Sequence, residues 1–93
     1  MINLVDEFFA PYLHQDFARE FGSAEKLADE LVRTNSSPWI EDLTEGLKAL
    51  LIRFPSNQML YTELSRLSVE YIPPLPTNFF RALVSEITRI RGC

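Results

Sequence analysis

Apolar residues recur every three or four positions through almost all of this 93-residue chain, and prolines and serines cut the pattern into short lengths. That spacing lines one face of a helix, whereas a half-buried strand needs strict alternation. The first stripe has Leu4, Phe8 and Tyr12 in line, with Val5, Phe9 and Leu13 beside them. Pro11 falls inside it. A proline has no N–H for the bond four residues back, and its ring strikes that carbonyl. The pattern therefore predicts a short helix ending near Ala10, or a kink, and then a second turn over 12–21. Gly22 reads as the stop.

Ser23 is expected to cap a helix in which Ala24, Leu27, Ala28, Leu31 and Val32 face one way and Glu25, Lys26, Asp29 and Glu30 the other. After the polar turn Thr34-Asn35-Ser36-Ser37, a capping hydroxyl on Ser37 and Pro38 behind it open the longest helix. Its apolar side, read as core, carries Trp39, Ile40, Leu43, Leu47, Leu50, Leu51 and Phe54. Pro55 ends it. Ser56 caps the next, with Met59, Leu60, Leu64 and Leu67 as the buried stripe. Glu70-Tyr71-Ile72-Pro73-Pro74-Leu75-Pro76 holds too many prolines for a helix and should run extended over the surface. Thr77 is expected to cap the last helix, where Phe80, Leu83, Val84, Ile87 and Ile90 pack inward. Only Val69-Glu70-Tyr71-Ile72 is strand-like, and a lone strand has nothing to pair with. The expectation is an all-α fold: one domain over 1–93, a small antiparallel or orthogonal bundle of four to five helices.

A chain this short builds one core, which excludes a multidomain enzyme and disfavours a large cleft. Its 46% hydrophobic content is enough to fold. The single cysteine, Cys93, permits neither an intrachain disulfide nor a cysteine metal cluster and suits a reducing compartment. The start Met1-Ile2-Asn3-Leu4-Val5-Asp6-Glu7 lacks the basic region of a secretory signal, and no apolar run nears the ~18 to 20 residues of a membrane span. A cytoplasmic location and no membrane partner follow as expectations.

Net charge is −4, but it is unevenly placed: residues 1–45 hold ten acids and three bases, a net −7, and the remainder nets +3. Phosphate binding needs clustered Lys and Arg, so direct nucleic-acid binding is disfavoured. No catalytic set stands out. His14 is the only histidine, so any Ser-His-Asp or Cys-His arrangement would have to use it, and Cys93 sits at a terminus expected to fray. His14 and Asp16 could act as an acid/base pair only if a turn brought them together. The plainer reading gives one of His14, Gln15 and Asp16 a backbone to satisfy near Pro11, while Tyr12 and Phe17 anchor the segment. One histidine with scattered carboxylates makes no zinc site, and neither a calcium loop nor a glycine-rich phosphate loop is present. No metal or cofactor is expected.

Glu25 and Asp29 stand four apart, as do Glu41 and Glu45, and like charges at that spacing oppose helix formation by a few tenths of a kcal/mol. Two readings remain open. These acids are solvated surface, helped where they fall in first helical turns; or they form a patch that captures a basic partner.

Tyr12-Leu13-His14-Gln15-Asp16-Phe17, followed by Glu20-Phe21-Gly22, resembles the Tyr-Phe-His-Gln-Asp-Trp and Glu-Tyr-Gly signature of bacterial contact-dependent growth inhibition immunity proteins. The likeness continues through a Ser-Ala-Glu helix start at Ser23, a Leu-rich helix from Trp39, Tyr71-Ile72-Pro73, and Phe79 at the opening of the final helix. Leu13 and Phe17 stand where the family commonly has Phe and Trp, and both keep an apolar side chain.

The resemblance implies a small cytosolic protein, not an enzyme, that binds and blocks the C-terminal toxin domain delivered by a neighbouring cell's surface exoprotein. Such toxins are frequently nucleases, whose basic groove an acidic protein can occupy. On this reading Glu25, Asp29, Glu30, Glu41, Asp42 and Glu45 are the toxin-facing candidates. The signature residues Tyr12, His14, Gln15, Asp16, Phe17 and Gly22 belong to the fold. If the acids are only solvated surface, the interface moves to Pro73-Pro74-Leu75-Pro76 or to the last helix, with Arg81, Arg89 and Arg91. Two other classes stand beside this reading: a generic acidic helical interaction module or adaptor, and, more remotely, a small helical enzyme.

Overall fold

Pro11 does not end the first helix; it lies inside it. In the computed structural model, described for residues 3–92, a π-helical turn at Val5–Phe9 runs directly into α1, Ala10–Tyr12. The Ala10 N–H donates to the Val5 carbonyl, one residue further back than an α bond reaches. That widened turn precedes the proline and shifts the carbonyls its ring would otherwise strike, so helical bonding resumes with the Leu13 N–H on the Phe9 carbonyl at 2.8 Å. The expected end near Ala10 is thus displaced to Tyr12. The expected second turn over 12–21 is broken by a non-helical stretch at 13–16 and resumes as α2, Phe17–Glu20. Gly22 ends it as expected, at φ +79°, with its N–H on the Phe17 carbonyl at 3.1 Å.

Ser23 caps α3, Ala24–Thr34, its Oγ accepting from the Lys26 N–H at 3.2 Å. The cap of α4, Ser37–Arg53, is Ser36, whose Oγ accepts from the Trp39 N–H at 3.4 Å. Ser37 is already helical, which corrects the expected cap by one residue. Either serine precedes Pro38 closely enough to serve, and the extended backbone of Ser36 decides between them. Ser56 caps α5, Asn57–Arg66, through the Met59 N–H at 3.1 Å. Beyond α5 the chain turns through Ser68 at φ +60° and runs without regular structure over 69–75. There is no strand among the described residues, so the strand-like run forms no ladder.

The last helix, α6, spans Pro76–Ile90, and Leu75 stands at its N-cap without a capping bond. Thr77 is therefore not the cap. It lies within the first turn, buried, and its N–H and hydroxyl both donate to Asn57 Oδ1, at 3.0 and 2.7 Å. A side chain twenty residues earlier thus caps α6 from α5.

α6 packs against α3, α4 and α5, and its Phe80, Leu83 and Ile87 are wholly covered. Leu27 and Leu31, then Ile40, Leu43 and Leu47, then Leu60 and Leu64, supply the facing surfaces, with Phe8, Phe9, Leu13 and Phe17 from the N-terminal segment. Met59 is a correction: only the Leu60–Leu64 row faces inward, and the neighbouring side chain, about 100° round the helix, is 47% exposed. Trp39, Leu50, Leu51, Val84 and Ile90 flank the core half-buried. Cys93 lies outside the described residues.

Candidate functional site

The stretch between α1 and α2 carries most of the resemblance, and its backbone is held by its own side chains. His14 Nδ1 accepts from the Asp16 N–H at 3.2 Å, so the ring's proton belongs on Nε2, which stands 3.4 Å from Glu20 Oε2. The Phe17 N–H donates to the His14 carbonyl at 2.9 Å, and the Glu20 N–H to the Asp16 carbonyl at 2.9 Å, which starts α2. The Asp16 carboxylate pairs with Arg19 at 3.0 Å, and Gln15 is exposed. Tyr12 is half-buried, its ring 6.1 Å from that of Phe21 and its hydroxyl accepting from Asn35 Nδ2 at 3.4 Å.

This turn and the proline-rich segment near residue 73 interlock. The Tyr71 N–H donates to the Leu13 carbonyl at 3.1 Å. The Tyr71 ring stacks on Phe17 with centroids 4.6 Å apart and an interplanar angle of 17°, and Phe79 meets Phe17 edge-on at 5.6 Å. Contacts of this kind add about 0.5–1.5 kcal/mol each beyond area burial. His14 and Asp16 do meet, but by backbone donation. Among the described residues no group of three or more His, Cys, Asp or Glu is placed to hold a metal ion.

Five of the six acidic candidates fall into two groups. Glu25, Asp29 and Glu30 line one shallow depression on α3, together with Glu20, Phe21, Lys26 and Arg33. Glu30 is tied to Arg33, and that hydrogen bond, with the added charge, raises the guanidinium's hold on its proton. Glu41 and Glu45 line a different groove between α4 and α6, beside Thr44, Ile87, Thr88 and Arg91. Arg91 reaches Glu41 at 3.4 Å, and Glu45 stands 4.0 Å from Lys48. Asp42 is exposed on α4 and lines neither depression. Neither depression joins all six.

Sequence reasoning missed Glu20 as a member of the first group. The signal was present: a glycine stop at Gly22 ends α2 and turns the chain into α3, so that Glu20 and Glu25 line one depression. Arg91 as a partner of Glu41 left no such signal, since fifty residues separate them.

No helix among the described residues is long and apolar enough to cross a membrane. Residues 1–89 match a protein-family model described as CdiI immunity protein. No curated protein and no solved structure matches the chain.

Proposed function

Because this chain belongs to the CdiI immunity protein family, we propose that it acts in the cytoplasm as a stoichiometric inhibitor that binds the C-terminal toxin domain of its contact-dependent growth inhibition system. The observation that carries this reading is the family match over residues 1–89, together with a surface that offers carboxylates in two shallow grooves. A nuclease is the toxin class that best suits it, because a nuclease presents a basic groove to phosphate and an acidic protein competes for the same charge.

The toxin-facing residues in this proposal are Glu25, Asp29 and Glu30 on α3 and Glu41, Asp42 and Glu45 on α4. Tyr12, His14, Gln15, Asp16, Phe17 and Gly22 serve the fold. Support for that division comes from geometry: the side chains of His14, Tyr12 and Phe17 are engaged with the chain's own backbone and rings, whereas the α3 and α4 acids face outward.

Titrated co-expression tests the reading. Growth should be rescued only when this protein at least matches the toxin domain encoded beside it in molar amount, and the two should co-purify in equal amounts. Rescue far below equivalence would overturn stoichiometric inhibition and point to an enzyme that modifies the toxin.

A further inference from the structure

A groove between the signature turn and the start of α6 leaves aromatic and aliphatic carbon uncovered. Tyr71, Leu75, Phe79 and Ala82 line it with exposed or half-buried carbon, Phe17 and Pro73 contribute to its lining but are themselves buried, and the α2–α3 corner at Gly22 borders it. No Asp, Glu, Lys or Arg is among the lining residues. Leu75 is 54% exposed although it is a large aliphatic side chain, and it stands between Pro74 and Pro76. Proline restricts the backbone on either side, so Leu75 needs little further ordering when a partner covers it. Ile52, Met59 and Tyr61 are also exposed, but they lie outside this groove.

The corner that borders the apolar groove also joins it to the α3 depression. Glu20 and Phe21 precede Gly22 in the chain and Glu25 follows Ala24; these line the depression with Asp29 and Glu30, and the acids outnumber Lys26 and Arg33. An apolar centre beside a charged rim is the layout of a protein interface, in which buried anchors hold and rim charges select and steer. The rim's sign specifies a basic occupant. A second copy of this chain, pairing through the same face, would bring one acidic rim against another.

We propose that this groove receives an apolar anchor side chain of the cognate toxin domain, flanked by basic residues that lie over Glu20 and Glu25. The proposal rests on the inhibitor reading above. The probe is a catalytically inactivated form of the toxin domain encoded beside this gene, titrated calorimetrically into the full-length protein. Leu75→Lys should weaken binding more than about tenfold, and Leu75→Glu by less, because a basic occupant repels the first and tolerates the second. Tyr61→Lys, on the exposed side of α5, should stay within about twofold of the parent. All three should melt with the parent, since both positions are exposed.

Failure of the parent to bind would overturn the inhibitor reading and this proposal with it. A parent that binds while Leu75→Lys stays within about twofold would overturn the groove alone. So would Leu75→Glu weakening binding more than Leu75→Lys, which would assign the groove to an acidic surface. A parent that is dimeric by light scattering and becomes monomeric on Leu75→Lys would assign the groove to a second copy and overturn the toxin anchor.

Discussion

Replacing Asn57 by alanine should destabilise the protein by about 2–4 kcal/mol, although Asn57 belongs to α5 and the damage falls on α6. Its Oδ1 accepts from the Thr77 N–H at 3.0 Å and from the Thr77 hydroxyl at 2.7 Å. Thr77 is only 2% exposed, so water cannot readily replace the lost acceptor. An unpaired buried donor costs about 1–3 kcal/mol, and loss of a helix N-cap typically about 1 kcal/mol. The N–H contribution and the cap are the same bond and count once. The hydroxyl keeps a weaker option in Asn78 Oδ1 at 3.3 Å, which favours the lower half of the range. Alanine's better helix propensity works the other way by roughly half a kcal/mol and cannot reverse the sign. A loss of about 2 kcal/mol in a domain this size lowers the melting temperature by roughly 8–16 °C. Urea and thermal unfolding followed by circular dichroism would measure it. Asn57→Asp keeps the acceptor and places negative charge at the start of α6, so it should remain near the parent. Asn57→Ala within about half a kcal/mol of the parent, or Asn57→Asp as damaging as alanine, would refute capping from α5.

Leu47, wholly buried in α4, should lose about 2–5 kcal/mol on replacement by alanine; a change under about half a kcal/mol in denaturant melts would mean the face is not core. His14→Ala removes the acceptor of the Asp16 N–H and should lower stability by about 1 kcal/mol while leaving toxin affinity unchanged where the variant is folded. A variant that melts with the parent but no longer binds toxin would reverse that assignment. The combined change Asp29→Asn, Glu30→Gln, Asp42→Asn and Glu45→Gln should slow association with a basic toxin and flatten its salt dependence in stopped-flow measurements. Melting should scarcely move, because the Glu30–Arg33 and Glu45–Lys48 contacts are exposed pairs of little net worth. Unchanged association rate and salt slope would move the interface off these residues.

Much of the architecture was legible because it is local. Three- and four-residue apolar spacing fits helices, and Gly22, Ser23 and Ser56 act on the few residues beside them. The signature around His14 was legible for the same reason: the bond from the Asp16 N–H to Nδ1 spans two residues. Tertiary structure decided what depends on neighbours distant in the chain. A helical stripe says that Met59 and Leu60 lie near a boundary, but only the position of α6 decides that Leu60 is covered and Met59 is not. Thr77 has the chemistry of a cap; the approach of Asn57 from α5 makes it a buried donor instead. The acids read as one patch along the sequence, yet Glu41 and Glu45 line a groove beside Arg91 while Glu25, Asp29 and Glu30 line another with Glu20. Local bonds depend on residue type and short spacing, which a sequence displays directly. The rotation of one helix about its axis against another depends on how all the side chains pack at once, and no short window contains it.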